Sequence, residues 1–289
     1  MKKHAVLSMD IEDWYHLDYF SGKATDRSRS MLDGFTNYMQ LLNGYGIKTT
    51  FFVLSELADI AREQILYADK CSHEIACHGL YHTLPLKMDV ATFESEIIEA
   101  KETLSMLIGK EVIGYRAPCY SIDNERYDIV KKVGFKYSSS KMDVPNHPLY
   151  GDLSLSDYSQ PRKSVYYKDG FTEFALSTKS VGGKHIAVSG GGWIRLFPWN
   201  CFMKPIISSY LKDADVYILY IHPFEFSHRA MPKVDGTSFL TNIRAHSGLS
   251  KVTERVEQLI IMLKANGFEF CTFRELVDAI RRREKETEI

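Results

Sequence analysis

The chain has 289 residues, of which 45% are hydrophobic and 25% charged; this is the composition of a folded globular protein and excludes a disordered one. Its 36 basic and 37 acidic residues are interspersed and leave a net charge of −1, so no surface is set up to track phosphates and nucleic acid is excluded as a partner. No apolar run approaches the ~20 residues of a membrane helix, and the length suits one domain carrying an insertion.

At the N-terminus, Met1-Lys2-Lys3-His4 leads into a short apolar run that Asp10 interrupts, so the long apolar region of a secretory signal is not expected. Five cysteines, Cys71, Cys77, Cys119, Cys201 and Cys271, form no CxxC pair, and free thiols imply a reducing compartment. The expected location is the cytoplasm, with at most peripheral contact to a membrane-held substrate.

In chain order, the apolar run 5–9 predicts a strand ending in acids. Helical spacing of Phe35, Tyr38, Met39 and Leu42 predicts a helix over 31–42, which Gly44 and Gly46 stop before a strand at 49–54. A helix at 56–67, a strand at 74–77, a helix at 91–108 and a strand at 112–115 follow. The next pair is a helix at 124–133, closed by Gly134, and a short strand at 135–137. Alternating β and α units with continuous apolar strands predict a parallel sheet with helices outside, either a barrel or a doubly wound sheet. The texture changes over 140–197. Prolines, strands at 165–167 and 173–176, and the run Ser189-Gly190-Gly191-Gly192-Trp193 predict an antiparallel insertion over the active-site face. The rhythm returns with a strand at 216–221, a helix at 250–265, a strand at 268–271 and a helix at 273–282. The charge run 281–288 reads as a solvated helix end.

Four strand ends carry groups capable of chemistry, and in a parallel α/β fold that is where sites are built. Asp10-Ile11-Glu12-Asp13 closes the first strand, whose alternation puts Asp10 and Glu12 on one face and Asp13 on the other. His78 and His82, four residues apart, can face one Zn²⁺ from a single helical turn, and a carboxylate from the first strand would complete a three-ligand site open to water. Arg116, in Gly114-Tyr115-Arg116-Ala117-Pro118, can hold a neighbouring carboxylate ionised. His222 closes a late strand at the same rim. Gly190-Gly191-Gly192 with Trp193 and Arg195 reads equally well as a glycine-rich turn or as a wall offering close backbone approach, a stacking face and a charge.

This order, D-x-E-D, H-x-x-x-H, R-x-P and a strand ending L-x-H, resembles the NodB-homology polysaccharide deacetylases, a carbohydrate esterase family 4-like group. The segments Ser8 to Tyr15, Thr50 to Leu54, His73 to Gly79, Gly114 to Pro118, Ser189 to Trp193 and His222-Pro223-Phe224-Glu225 resemble more closely a subgroup associated with bacterial surface-polysaccharide and exopolysaccharide biosynthesis. The likeness spans nearly the whole chain and rests on the motifs as a set. It implies a distorted (β/α)7 barrel of α/β class and a metal-dependent N-deacylase of an amino sugar. It also implies a divalent metal, zinc by preference, on Glu12, His78 and His82, with Asp13 as the alternative to Glu12. Asp10 would be the base, His222 the acid, and Arg116 the group that steadies Asp10. Gly191, Gly192, Trp193, Arg195, Pro118 and Tyr120 would meet the substrate, a nucleotide-linked, lipid-linked or oligomeric amino sugar. Two departures stand out. The acids are spaced D-x-E-D where the commoner form has them adjacent, and the aspartate expected near Tyr137-Ser138-Ser139-Ser140 is serine. A metal-independent amidohydrolase of a small cyclic amide and a non-catalytic sugar-binding module are the competing readings.

Overall fold

Nine residues, Lys3–Ile11, form the strand β1 around which this computed structural model is arranged; it describes residues 2–144 and 149–287, side chains excepted at 184 and 284–287. The chain continues as α1 Asp33–Gly44, β2 Thr50–Val53, α2 Arg62–Lys70, β3 Glu74–Cys77, α3 Val90–Ile108, β4 Gly114–Tyr115, α4 Asn124–Lys132 and β5 Tyr137–Ser138. Then come β6 Ser159–Arg162, β7 Val165–Lys168, β8 Phe171–Phe174, β9 Thr178–Val181 and β10 Lys184–Ala187. The last part is α5 Gly191–Leu196, α6 Lys204–Asp213, β11 Val216–Ile221, α7 Phe239–His246, α8 Val252–Ala265, β12 Phe268–Phe270 and α9 Phe273–Thr287.

Seven strands in the order β11-β1-β2-β3-β4-β5-β8 run parallel, and β12 pairs with the first residues of β1 below the point where β2 joins it. Between β8 and β11 the curled sheet is closed by single contacts: Ser177 Oγ accepts from Ile218 N at 3.0 Å, Val188 N donates to the Ser177 carbonyl, and Tyr220 N donates to the Ser189 carbonyl at 2.8 Å. Alternation along β1 sorts its side chains. Leu7 and Met9 pack under the helices, while Val6 turns inward with Phe52, Ala76, Tyr137, Phe174, Ile218 and Phe273. Phe273, the first residue of α9, plugs the barrel, its ring 4.9 Å from Phe174 and 5.6 Å from Phe52. Above this apolar floor the inward positions of β1 become Ser8 and Asp10, so the polar rim follows directly from the order of residues in the strand.

The expected class is present, with corrections. Residues 140–197 do not form one insertion over the site. The strand predicted at 173–176 is β8, parallel to β5 through Tyr137↔Thr172, and is therefore barrel wall. The β6–β7 ribbon extends the sheet outward, and its Arg162 reaches His4 and Asp215 at the end opposite the rim. Lys179 ties the β9–β10 hairpin to Asp213 at 3.0 Å, also at that far end. From this segment Tyr150 packs on Tyr120 and Gly191 lies against Glu225 at the rim, while 145–148 lie outside the described residues. The glycine run, read as a turn or a wall, forms the start of helix α5. The helix expected over 56–67 begins only at Arg62, after a 3-10 turn at Ser55–Leu57. Helix α6 was hidden by Pro205, which sits in its first turn where the missing N–H costs nothing. The charge run belongs to α9 as far as Thr287; its last residue, 288, lies outside the described residues. Among the described residues, no helix is long and apolar enough to cross a membrane.

Candidate active site

Arg116 leaves β4 fully buried, its guanidinium 4.0 Å above the Phe52 ring on the apolar floor. A buried cation has to satisfy its donors locally. Nη1 donates to Asp10 Oδ1 at 2.6 Å and to Ser8 Oγ at 3.0 Å, Nε donates to the Ser139 carbonyl at 3.1 Å, and Nη2 donates to Ser139 Oγ at 2.9 Å. Serine thus takes up the position where the family pattern has an acid. It does so with neutral oxygens, so among the described residues Asp10 is the one carboxylate paired with the guanidinium. Burial works against the cation, and Asp10 outweighs it, raising the Arg116 pKa.

The serine loop is itself held by a residue that the sequence reading missed. Glu173, buried on β8, accepts from Ser140 N at 2.6 Å and Lys141 N at 2.7 Å. The signal was available: a lone carboxylate in the apolar strand Phe171–Phe174 has to be paired.

Glu12, His78 and His82 come together with their donor atoms all within 4.8 Å of one another. The histidines do not share a helical turn as expected. Gly79, at φ 103°, breaks the chain after β3, and a loop brings the two rings to 5.6 Å. His78 Nδ1 donates to the Arg116 carbonyl at 2.9 Å; that oxygen can only accept, so Nε2 keeps its lone pair for the cluster. Burial pushes His78 down to about 4, keeping it neutral near pH 7. Glu12 Oε2 lies 2.7 Å from His82 Nε2, yet no donor meets it in hydrogen-bond geometry. Burial opposes ionisation of Glu12, but His82 and its neighbours hold it well below the usual carboxylate range; burial likewise lowers His82, and Glu12 raises it overall. A buried carboxylate oxygen without a donor, facing two imidazoles, is a donor set that fits a divalent cation.

Asp13 is elsewhere. Its Oδ1 accepts from Trp14 N and Met31 N, both at 2.8 Å, capping the turn Trp14–His16, so it lies outside the cluster and is not an alternative ligand. Both acids lie past the end of β1 at Ile11, where Glu12 N turns back to the Asp10 carbonyl at 3.1 Å, and Asp13 is taken up by the turn that follows.

His222, at the end of β11, has Nε2 3.5 Å from Glu12 Oε1 and Nδ1 3.5 Å from Glu225 Oε2. Glu225 in turn pairs with Arg195 Nε at 2.9 Å, and Arg195 Nη1 reaches the Ser247 carbonyl at 2.8 Å. Burial lowers the His222 pKa, but Glu225 and Glu12 overcome this and raise it to about 9.

Two residues expected to contact substrate therefore have other work. Arg195 is buried in its pair with Glu225, and a Cβ on Gly191 would stand 2.0 Å from Glu225 Oε2, so the glycine makes room for that carboxylate. Trp193 lies half-buried with one face stacked on Phe197 at 4.7 Å, and Gly192 borders open space. Pro118 is buried against Gly79. Tyr120, at φ 55°, points a buried hydroxyl that has no partner among the described residues, and Tyr150 and Tyr220 pack against its ring.

Comparison with known proteins bears on the fold and the family. Residues 29–138 match the family described as polysaccharide deacetylase, and residues 139–278 match a domain of unknown function, DUF3473. A peptidoglycan deacetylase of Helicobacter pylori is 23% identical over 253 residues, covering 86% of this chain and 84% of its own. A structure from Mycobacterium smegmatis assigned to the polysaccharide deacetylases superposes with TM-score 0.64 at 17% identity, over 98% of this chain and 92% of that one. A family 4 carbohydrate esterase pseudoenzyme from Bacillus anthracis superposes with TM-score 0.53 at 11% identity, over 96% of this chain and 66% of that one. Since a pseudoenzyme shares the fold, the fold alone does not decide activity, and the rim residues carry that argument. With the deacetylase match, the superposed barrel and the acids, imidazoles and arginine gathered at one rim, the chain belongs to the NodB-homology polysaccharide deacetylase superfamily, hydrolases that remove acyl groups from carbohydrates.

Proposed function

We propose that the chain removes an N-acyl group, acetyl or formyl, from an amino sugar used in bacterial surface-polysaccharide synthesis, with a divalent metal held by Glu12, His78 and His82. The observation that carries this is the three-donor cluster with an unsatisfied Glu12 oxygen beside the Arg116–Asp10 pair. Zinc suits two imidazoles and one carboxylate, and such a cation supplies Lewis acidity toward water and the acyl carbonyl.

The chain's own residues do the rest. Arg116 holds the Asp10 carboxylate in place, and Asp10 takes a proton from the water that attacks the acyl carbon. As the C–N bond breaks, His222 gives its proton to the departing nitrogen, so the products are a free acid and an amine. Glu225, clamped by Arg195, holds the His222 ring in position for that transfer. The five unpaired cysteines support a reducing compartment, and with it a cytoplasmic precursor, nucleotide- or lipid-linked, as substrate.

Metal analysis of the purified chain tests the reading. The wild type should carry about one divalent ion per chain and deacylate N-acetylated amino sugars. His78→Ala/His82→Ala should lose the ion and the activity while keeping its circular dichroism, because neither ring belongs to the apolar clusters. An ion retained in full by that variant would overturn the site. A metal-free wild type that binds sugar without hydrolysing it would favour the sugar-binding reading.

A further inference from the structure

A cleft of about 550 Å³ opens beside the cluster and shares His82 with it. That volume lies within the about 300–1,000 Å³ typical of small-molecule sites. One wall is built by the 3-10 turns Trp14–His16 and Asp18–Phe20 and the loop that follows them; the other is the loop around Tyr81 and Lys87. His16 marks the junction. Its ring is 6.4 Å from that of His82, its Nδ1 accepts from Asp13 N at 2.9 Å, and its Nε2 is 3.3 Å from Glu56 Oε1.

Three exposed cations line this cleft: Lys23, Arg27 and Lys87. Among the described residues none of them forms an ion pair. The acidic groups lining it are Asp18 and Glu56, and Glu56 is already engaged by His16. A chain of net charge −1 has no general surplus of cations, so this local excess is placed. Aromatic faces accompany it. The Arg27 guanidinium stands 5.1 Å over the Tyr15 ring, and Tyr81 is 48% exposed on the opposite wall. Ring faces suit the apolar side of a sugar, and cations with nothing to pair suit an anion.

We propose that this cleft binds the sugar next to the one being deacylated, and that this neighbour carries an anionic group, a carboxylate or a phosphate, taken by Lys23, Arg27 and Lys87. The placement rests on the deacylase reading above; the binding chemistry does not.

Calorimetric titration tests it with three N-acetylated oligosaccharides of equal length: a neutral one, one whose neighbouring unit is a uronic acid, and one bearing a phosphate monoester on that unit. The wild type should bind at least one acidic oligosaccharide about tenfold more tightly than the neutral one, and whichever acidic arm is tighter identifies the group. The ratio should shrink between about 50 and about 500 mM salt as exposed charges are screened. In Lys23→Gln/Arg27→Gln/Lys87→Gln it should fall close to one. Arg27→Gln alone, a single change to an exposed side chain, should reduce it about threefold and serves should the triple variant fail to fold. Equal binding of all three by the wild type, or a ratio kept in both variants, would overturn the assignment. Turnover followed in parallel separates the two readings: an acidic preference without hydrolysis sinks deacylation and keeps the cleft, and hydrolysis without preference does the reverse.

Discussion

Single side chains at this rim are set by what sits behind them. His222 is flanked by Glu12 and by Glu225, and a divalent cation in the cluster would neutralise the first, leaving Glu225 as the anion that keeps the ring protonated. Its pKa stands raised to about 9 from an ordinary value near 6.5. The acid form is therefore lost as pH rises, and with Glu12 neutralised by a cation that loss falls below pH 9. Glu225→Gln removes the charge while preserving the shape, so the alkaline limb of kcat/KM should move to lower pH by about one unit or more. Arg195 would then face an amide in a buried position, at a cost of about 1–3 kcal/mol read in a denaturant melt. An alkaline limb that stays in place would show that another group supplies the proton.

Elements meet here through close backbone approach as well as side-chain packing. The first turn of α1 lies against the turn that carries His222 and Glu225, where a Cβ on Gly34 would stand 1.8 Å from the Pro223 carbonyl oxygen. Backbone cannot yield as a flexible side chain can. Gly34→Ala should therefore destabilise the protein by about 1–3 kcal/mol and lower activity by shifting that turn. The same helix contains its own control, since a Cβ on Gly44 meets nothing within 4 Å. Gly44→Ala should be neutral or stabilising by up to about 1 kcal/mol, because it only removes glycine's freedom in the unfolded chain. Urea melts of the two variants against wild type measure both, and equal effects would discount the close approach.

On the scale of the molecule, the two matched regions meet between residues 138 and 139, yet the sheet runs through that boundary. The first half supplies β1 to β5, and the second supplies β8 beside β5 and both β11 and β12 beside β1. Cutting there exposes two hydrogen-bonding edges of β1 and one of β5, together with the apolar floor that Phe273 fills. A fragment of residues 1–138 should therefore lack a cooperative melt by calorimetry, and mixing it with 139–289 should restore one. Independent cooperative melting of either half would show two domains where one barrel is expected.

Much of this was legible in the chain because it depends on local order. The alternation of side chains in β1 places Ser8 and Asp10 at the rim, with Glu12 just past the strand's end, and the apolar runs that lead into His78, Arg116 and His222 mark three more strand ends. Spacing could not show which partner each group finds. That Asp13 caps a turn, that Arg195 clamps Glu225, that Glu173 holds the serine loop under Arg116, and that 171–174 is wall and not insertion are all contacts between residues far apart in sequence. The sequence by itself determined the parallel α/β class and the chemical groups at the rim, since periodicity and residue type act within one strand. Only the tertiary structure decided which of those groups face the cluster and which are spent on holding it, because burial forces each polar group to find a partner and the curl of the sheet settles which partner is within reach.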